Sequence, residues 1–578
     1  MRLFVFAILF VCPWLAKGQS TIGQQLHALF AKIGEAERSP QDSLYQGVHP
    51  TGAWTSSSDA AQRDHARRMT GFAERLKAIK ASDLSAQDRI SREVMLLKLN
   101  DAASQVEHRM HLIPFNAEGG FYNRLAYVLP KLPFATLSDY QAYLAWLPAY
   151  TQSLREHTEL MRLGVQEGIV APASVITNML ALLGTWAVED VQSSPLYEPF
   201  GRLPESLSPA ERKQLLAQAA QVIGESNRAY RELRTFTAGP YRAASPTLPG
   251  VGQLPGGAAF YQNRIAHYTT LDLTVDSVHQ LGLREVARIR ASMDSIIQSL
   301  AFSGSFAEFL AFLRSDEQFY ARTPEELLRR AAWISKQAEG QLPGLFERLP
   351  SLPFTVAPVP ASIAPTYTGG RYVPGSWTQQ RPGTYWVNTY DLPSRTLYTL
   401  PALSLHEAVP GHHLQGALAA EIDDLPEFRR RYYISAFGEG WGLYSEYLGE
   451  EMGSYTTPYE LFGRYTYEMW RACRLVIDTG IHGKGWTRQR ALDYLASNTA
   501  LSLHEVRTEI DRYIGWPGQA VSYKVGELHI KALRRQAEAE LGEDFDVRKF
   551  HTALLQNGSV PLPLLSEQVE AYIAETKS

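Results

Sequence analysis

His406-Glu407-Ala408-Val409-Pro410-Gly411-His412-His413 decides how this chain is read. Imidazoles and a carboxylate set this close together suit a divalent cation. A regular helix could not bring them to one ion. Six residues advance a helix by about 9 Å and turn it by about 240°, and seven restore the face but separate the side chains by about 10 Å. Zinc bonds are only about 2.0–2.1 Å long. Pro410 removes a backbone donor and clashes with the preceding turn, while Gly411 tolerates unusual dihedrals. Together they predict a helix bulged by two residues, which returns His412, rather than His413, to the side of His406.

The third ligand is expected downstream, where Ser435-Ala436-Phe437-Gly438-Glu439-Gly440-Trp441-Gly442-Leu443-Tyr444-Ser445-Glu446 begins a second helix. Glu439 is the better candidate, because its flanking glycines admit another backbone. Glu446, seven residues on and on the same face, is expected to support a ligand histidine from behind, with His413 in the same supporting layer. Two histidines and a glutamate form a catalytic rather than a structural zinc set, because the fourth position stays open for water. One zinc ion per chain is expected. His406-Glu407 also matches the start of the zinc-peptidase helix pattern, in which the glutamate after the first histidine is the general base. The spacing to His412 departs from that pattern's four residues.

The rest of the chain narrows the setting. Met1-Arg2 followed by the apolar run Leu3 to Leu15 and the small-residue cut Ala16-Lys17-Gly18 reads as a secretory signal peptide over 1–18. The run is too short for the roughly 20 residues that span a bilayer. A secreted or periplasmic protein is expected, with no membrane span once the signal is removed. A lipid attached at Cys12 is disfavoured by the bulky Val11. Cys12 leaves with the signal, so Cys473 remains alone and no intrachain disulfide is possible. A net charge of −4, from 56 basic and 60 acidic residues, advertises neither nucleic acid nor an anionic membrane as partner.

At 578 residues the chain exceeds what one simple core usually holds. Apolar residues at three- and four-residue spacing predict helices over 64–84, 137–163 and 209–235, and again over 274–301 and 324–345. Prolines, glycines and aromatics crowd 352–400, where Gly383 to Thr389 reads as a strand. Helices resume from Ser404. The expected fold is mainly α, with a small β-sheet beside the active-site cleft. A signal at 1–18, a cleft-forming helical region at 19–350 and a catalytic region at 351–578 divide the chain.

Several blocks in order carry a resemblance. They are Leu254-Pro255-Gly256-Gly257 with Tyr268-Thr269-Thr270, Val278 to Leu283, Val387-Asn388-Thr389, His406 to Gln415, Gly438-Glu439-Gly440-Trp441, Asp478 to His482 and Pro517 to Lys524. In these the chain resembles the DUF885 family, bacterial proteins grouped with the zincin-like metallopeptidases of gluzincin type. The resemblance implies a helical zincin fold with a cleft, His406, His412 and Glu439 as ligands, and Glu407 as acid and base. Tyr523 and His482 are the candidates for stabilising a developing oxyanion. Arg474 and Arg512 are candidates for binding a peptide carboxylate. The strand Tyr385 to Thr389 is a candidate for pairing with an extended peptide, with Asn388 touching its backbone. The expected function is zinc-dependent hydrolysis of short peptides. A zinc hydrolase of other amides or esters, and a non-catalytic peptide-binding protein, are the alternatives. Oligomeric state is not encoded in any motif.

Overall fold

The computed structural model describes residues 21–361 and 363–578. The signal peptide expected at 1–18 lies outside the described residues.

The protein is mainly helical, with one small three-stranded sheet. Its helices start and stop where local chemistry dictates. Thr136 and Asp139 form a reciprocal cap at the start of α1 (Leu137–Glu167), which ends on the left-handed Gly168. Ser208 and Glu211 cap α2 (Pro209–Phe236) in the same way, and α1 packs along it. These two helices build much of the core of the N-terminal half.

The axis of the molecule is α4 (Pro458–Lys484), opened by a Thr457–Glu460 cap and closed by left-handed Gly485. Nearly every residue from Phe462 to His482 is buried, and its longest packing seam runs along α3 (Val275–Ser299). A helix buried on all faces must satisfy many polar groups internally. Here Lys524, fully buried, does so with Glu468 and Glu527, while Arg464 pairs with Glu450 and Glu468. Two large apolar cores each draw side chains from both sides of residue 350.

The sheet has the order β1 (Phe354–Pro358), β3 (Gly383–Val387), β2 (Gly370–Val373). β1 runs parallel to β3, pairing Phe354 with Gly383, and β2 runs antiparallel to it, pairing Gly370 with Val387. This corrects the expectation that the Tyr385–Thr389 strand offers a free edge. β3 is the central strand, with neighbours on both sides. The strands at the edges of the sheet are β1 and β2. No helix among the described residues is long and apolar enough to cross a membrane.

Candidate metal centre

Two short helices meet at the motif. α5 (Leu400–Glu407) makes its last helical bond from Ala408 N to Ser404 O, and α6 starts afresh at His412 and runs to Ala420. Between them Ala408 (ψ −105°) and Gly411 (ψ −132°) leave helical geometry, and the Val409–Pro410 peptide is cis. The expected bulge is therefore a full break. Gly411 N donates to Leu405 O at 2.9 Å, and Trp441 Nε1 donates to Pro410 O at 2.8 Å, pinning the turn. A side chain at position 411 would place its Cβ 1.9 Å from His406 O, so only glycine lets the chain fold back this tightly.

The break brings the imidazoles together. Their ring centroids lie 4.7 Å apart with planes at 88°. Glu439 enters from α7 (Ser435–Glu451), and its Oε2 lies 3.5 Å from His406 Nε2 and 3.4 Å from His412 Nε2. One ligand atom from each of the three residues falls within 4.8 Å of the others. Two bonds of about 2.05 Å at a tetrahedral angle put ligand atoms about 3.3 Å apart. The observed contacts are close to that edge length and longer than the roughly 2.7–2.9 Å of a charge-assisted hydrogen bond. The donor set suits a divalent cation such as zinc, and the two Glu439 contacts match a tetrahedral edge.

Electrostatics point the same way. Burial would push the His406 imidazole down, but the Glu439 and Glu446 carboxylates outweigh it and lift it to about 10. Glu439 is held well below the usual carboxylate range, because the two imidazoles overcome its own burial. The cluster calls for positive charge at its centre. Behind it, Glu446 Oε1 lies 2.8 Å from His406 Nδ1, which holds a proton there and leaves Nε2 as the nitrogen that a cation would take by displacing its proton.

The glycines around Glu439 are close-approach residues. A Cβ at Gly442 would sit 2.5–2.9 Å from three atoms of the His406 ring. Glu446, one turn along the same helix, holds that ring at Nδ1, so it cannot simply move aside. Gly442→Ala is expected to keep the fold, judged by circular dichroism, while lowering metal affinity about 10–100-fold, the usual cost of disturbing a ligand's support. Unchanged affinity in a metal titration would show that the ring position does not matter.

A model of the family described as "Bacterial protein of unknown function (DUF885)" matches residues 40–569. The chain belongs to the DUF885 family. No curated protein matches it. Among solved structures, it is similar to a protein from Colwellia psychrerythraea described as a candidate lipoprotein. The two are 26% identical, with a TM-score of 0.83 over 96% of this chain and 99% of that one. A lipoprotein candidate of unknown function from Shewanella oneidensis is 19% identical, with a TM-score of 0.68 over 95% and 99% of the two chains. The second likeness is one of fold.

Around these three residues, this DUF885 protein arranges its other candidates unequally. Glu407 is nearly buried, and its Oε2 accepts the Tyr372 backbone N–H at 2.7 Å. The open edge of β2 is thus turned to the carboxylate that follows the first histidine. Tyr523, on α8 (Ser522–Leu541), lies with its ring 3.9 Å from the Arg474 guanidinium and its hydroxyl 3.4 Å from Arg512 Nη2.

Four expectations are corrected by their surroundings. His482 spends both ring nitrogens on backbone, accepting from Val251 N and donating to Tyr513 O, each at 3.0 Å. It has no donor left for a substrate. Asn388 is fully buried, and its amide ties together the carbonyls of Ala364, Tyr367 and Thr368, so it organises the loop before β2. Arg474 is buried against Tyr513 and Glu509, where it props Tyr523 rather than facing solvent. His413 contacts Tyr372 and Phe354 behind the sheet instead of supporting a ligand imidazole. Arg512, mostly buried, is bonded to Gln519 and paired with Glu118 and Glu509.

Tyr433 was missed. Its side chain is 51% exposed, yet its hydroxyl lies over Gly438 close to the Glu439 carboxylate, with Tyr523 and Glu407 nearby. Burial of the hydroxyl, then the Glu439 charge, keeps its proton on far above the ordinary tyrosine range. The available signal was Gly438, whose absent side chain is the space the Tyr433 ring occupies; a Cβ there would sit 2.2 Å from it.

Proposed function

We propose that this protein is a zinc-dependent hydrolase of zincin type whose substrates are short peptides, acting outside the cytoplasm. The observation that carries the reading is the convergence of His406, His412 and Glu439, the two Glu439 contacts at tetrahedral spacing, with Glu407 beside them on the open edge of β2. The description of the Colwellia psychrerythraea protein as a candidate lipoprotein supports the location.

Zinc held by these three residues would supply Lewis acidity, polarising an amide carbonyl and making water acidic near pH 7. Glu407 takes the proton of the attacking water on a carboxylate oxygen and passes it to the leaving amine nitrogen. Its Oε2 is steadied by Tyr372 N, so the proton moves through an oriented group. The tyrosine hydroxyls of Tyr433 and Tyr523 donate to the carbonyl oxygen as charge gathers on it. The outer backbone edge of β2, apart from the Tyr372 N–H that Glu407 holds, pairs with an extended peptide, which favours amides in a chain over isolated esters.

The test is direct. Purified protein is expected to carry one zinc per chain by metal analysis and to cleave components of a defined peptide mixture. Dipicolinate should abolish cleavage, and added zinc should restore it. A protein that cleaves equally well after full chelation would overturn the reading. Within the site, Tyr433→Phe is expected to lower kcat about 10²-fold or more with zinc content unchanged, the usual effect of losing one oxyanion donor. A kcat within threefold of wild type would return the role to Tyr523 alone.

A further inference from the structure

We infer that a cavity beside the metal cleft receives a bulky apolar side chain of the peptide substrate. The cavity holds about 170 Å³. Met110, Ile113, Phe115, Val175, Phe260 and Trp516 form much of its wall, with Arg264, Gln105 and Tyr268 among its polar members. An apolar cavity of about 150 Å³ stays dry and takes benzene. The space therefore matches a phenyl or isobutyl group. It is also assembled from four separate stretches of chain, at 105–115, 170–175, 246–268 and 514–517, and Gln105, Tyr268 and Trp516 on its rim are only half-buried.

Its place in the molecule ties it to the substrate. Trp516 is held by a 2.5 Å bond from its Nε1 to Tyr268 Oη, and the Arg512 guanidinium lies 5.5 Å from its ring centre. On its other side Arg512 reaches Tyr523 Oη at 3.4 Å and Glu118 at 3.3 Å. Phe115, a cavity wall, and Glu118, at the cleft, belong to one tight turn closed by Asn116 N to Gly119 O. Gly515 packs so closely on that turn that a Cβ there would fall 2.7 Å from Ala117 N. The cavity and the Tyr523 side of the cleft thus share walls. An extended peptide, at about 3.3 Å per residue, crosses Arg512 and Trp516 in a few residues.

The inference rests on the peptidase reading, and its test uses binding so that the two fail separately. Zinc-loaded, full-length Glu407→Gln protein is titrated with fluorobenzene and followed by ¹⁹F NMR. Pentaglycine and five pentaglycines bearing one phenylalanine, at each position in turn, then compete. Fluorobenzene should bind, and at least one phenylalanine peptide should displace it at a concentration at least tenfold below pentaglycine. Ile113→Trp, at a half-buried wall, and Val175→Phe, deeper in, should each abolish fluorobenzene binding and the phenylalanine advantage. Thermal unfolding identifies which of the two is folded, and the competition in the parent protein stands without either. Failure of fluorobenzene to bind, failure of every phenylalanine peptide to displace it, or an advantage that survives in a folded filled variant would each overturn the inference. Absence of peptide cleavage by the wild type would overturn the proposed function and leave this result standing.

Discussion

Replacing His412 with alanine is expected to yield a folded protein that no longer retains zinc. Three candidate ligands converge on the site, so removing one strips a third of the donor set and leaves two that cannot define a tetrahedral centre. His412 is the informative choice among the three because of where it sits. Its side chain is 15% exposed, at the start of α6, so truncation opens no core cavity. His406 is buried with Glu446 behind it, and losing that imidazole would leave a buried carboxylate 3.5 Å from Arg471 as its nearest counter-charge. A failure of His406→Ala could then be a failure to fold. Metal analysis after exhaustive dialysis should give about one zinc per chain for wild type and less than a tenth of that for His412→Ala. His413→Ala is the matched control. Its ring packs on Tyr372 and Phe354, so the variant should keep its zinc. Full zinc in His412→Ala, or loss in His413→Ala alone, would mean that the neighbouring imidazole is the ligand.

The argument that selected His412 used nothing but helix geometry and bond lengths, and that is why it could be made from the chain alone. Two imidazoles six residues apart cannot chelate on an intact helix, and Pro410-Gly411 is the local chemistry that breaks one. Glu439 was accessible for a similar reason: its flanking glycines are a local sign of a close approach, borne by Gly442 against His406 and Gly440 against the backbone of Gly526. Helix caps such as Thr136–Asp139 and Thr457–Glu460 are equally local.

What stayed hidden depends on distant partners. His482 is claimed by Val251, 231 residues earlier, and by Tyr513 in the following helices; no pattern around His482 announces either. Asn388 is consumed by a loop some twenty residues upstream. The central position of β3 followed from β1 and β2, which are too short and too rich in proline and glycine to show alternation of their own. Tyr433 precedes the α7 motif and has an exposed ring, so by composition it is an ordinary surface tyrosine; only the direction of its hydroxyl sets it apart.

Glu407→Gln is expected to keep the metal and lose the reaction. The substitution preserves shape and leaves an amide oxygen able to accept the Tyr372 N–H, so the β2 edge should stay in place. Glu407 is not among the three convergent ligands, and zinc content should therefore match wild type. What disappears is the basic oxygen. General acid–base assistance contributes about 10²–10⁴-fold, and because the same carboxylate both takes the water's proton and returns it to the amine, the loss should fall near the top of that range. The loss should appear in kcat with KM within a few-fold, since the ground-state contacts survive. The pattern separates the enzyme from its alternative. A peptide-binding protein on this fold would show equal peptide affinity in both forms and no turnover in either. Zinc bound at full stoichiometry in the variant, together with cleavage at the wild-type rate, would remove Glu407 from the chemistry and require the proton to leave by another route.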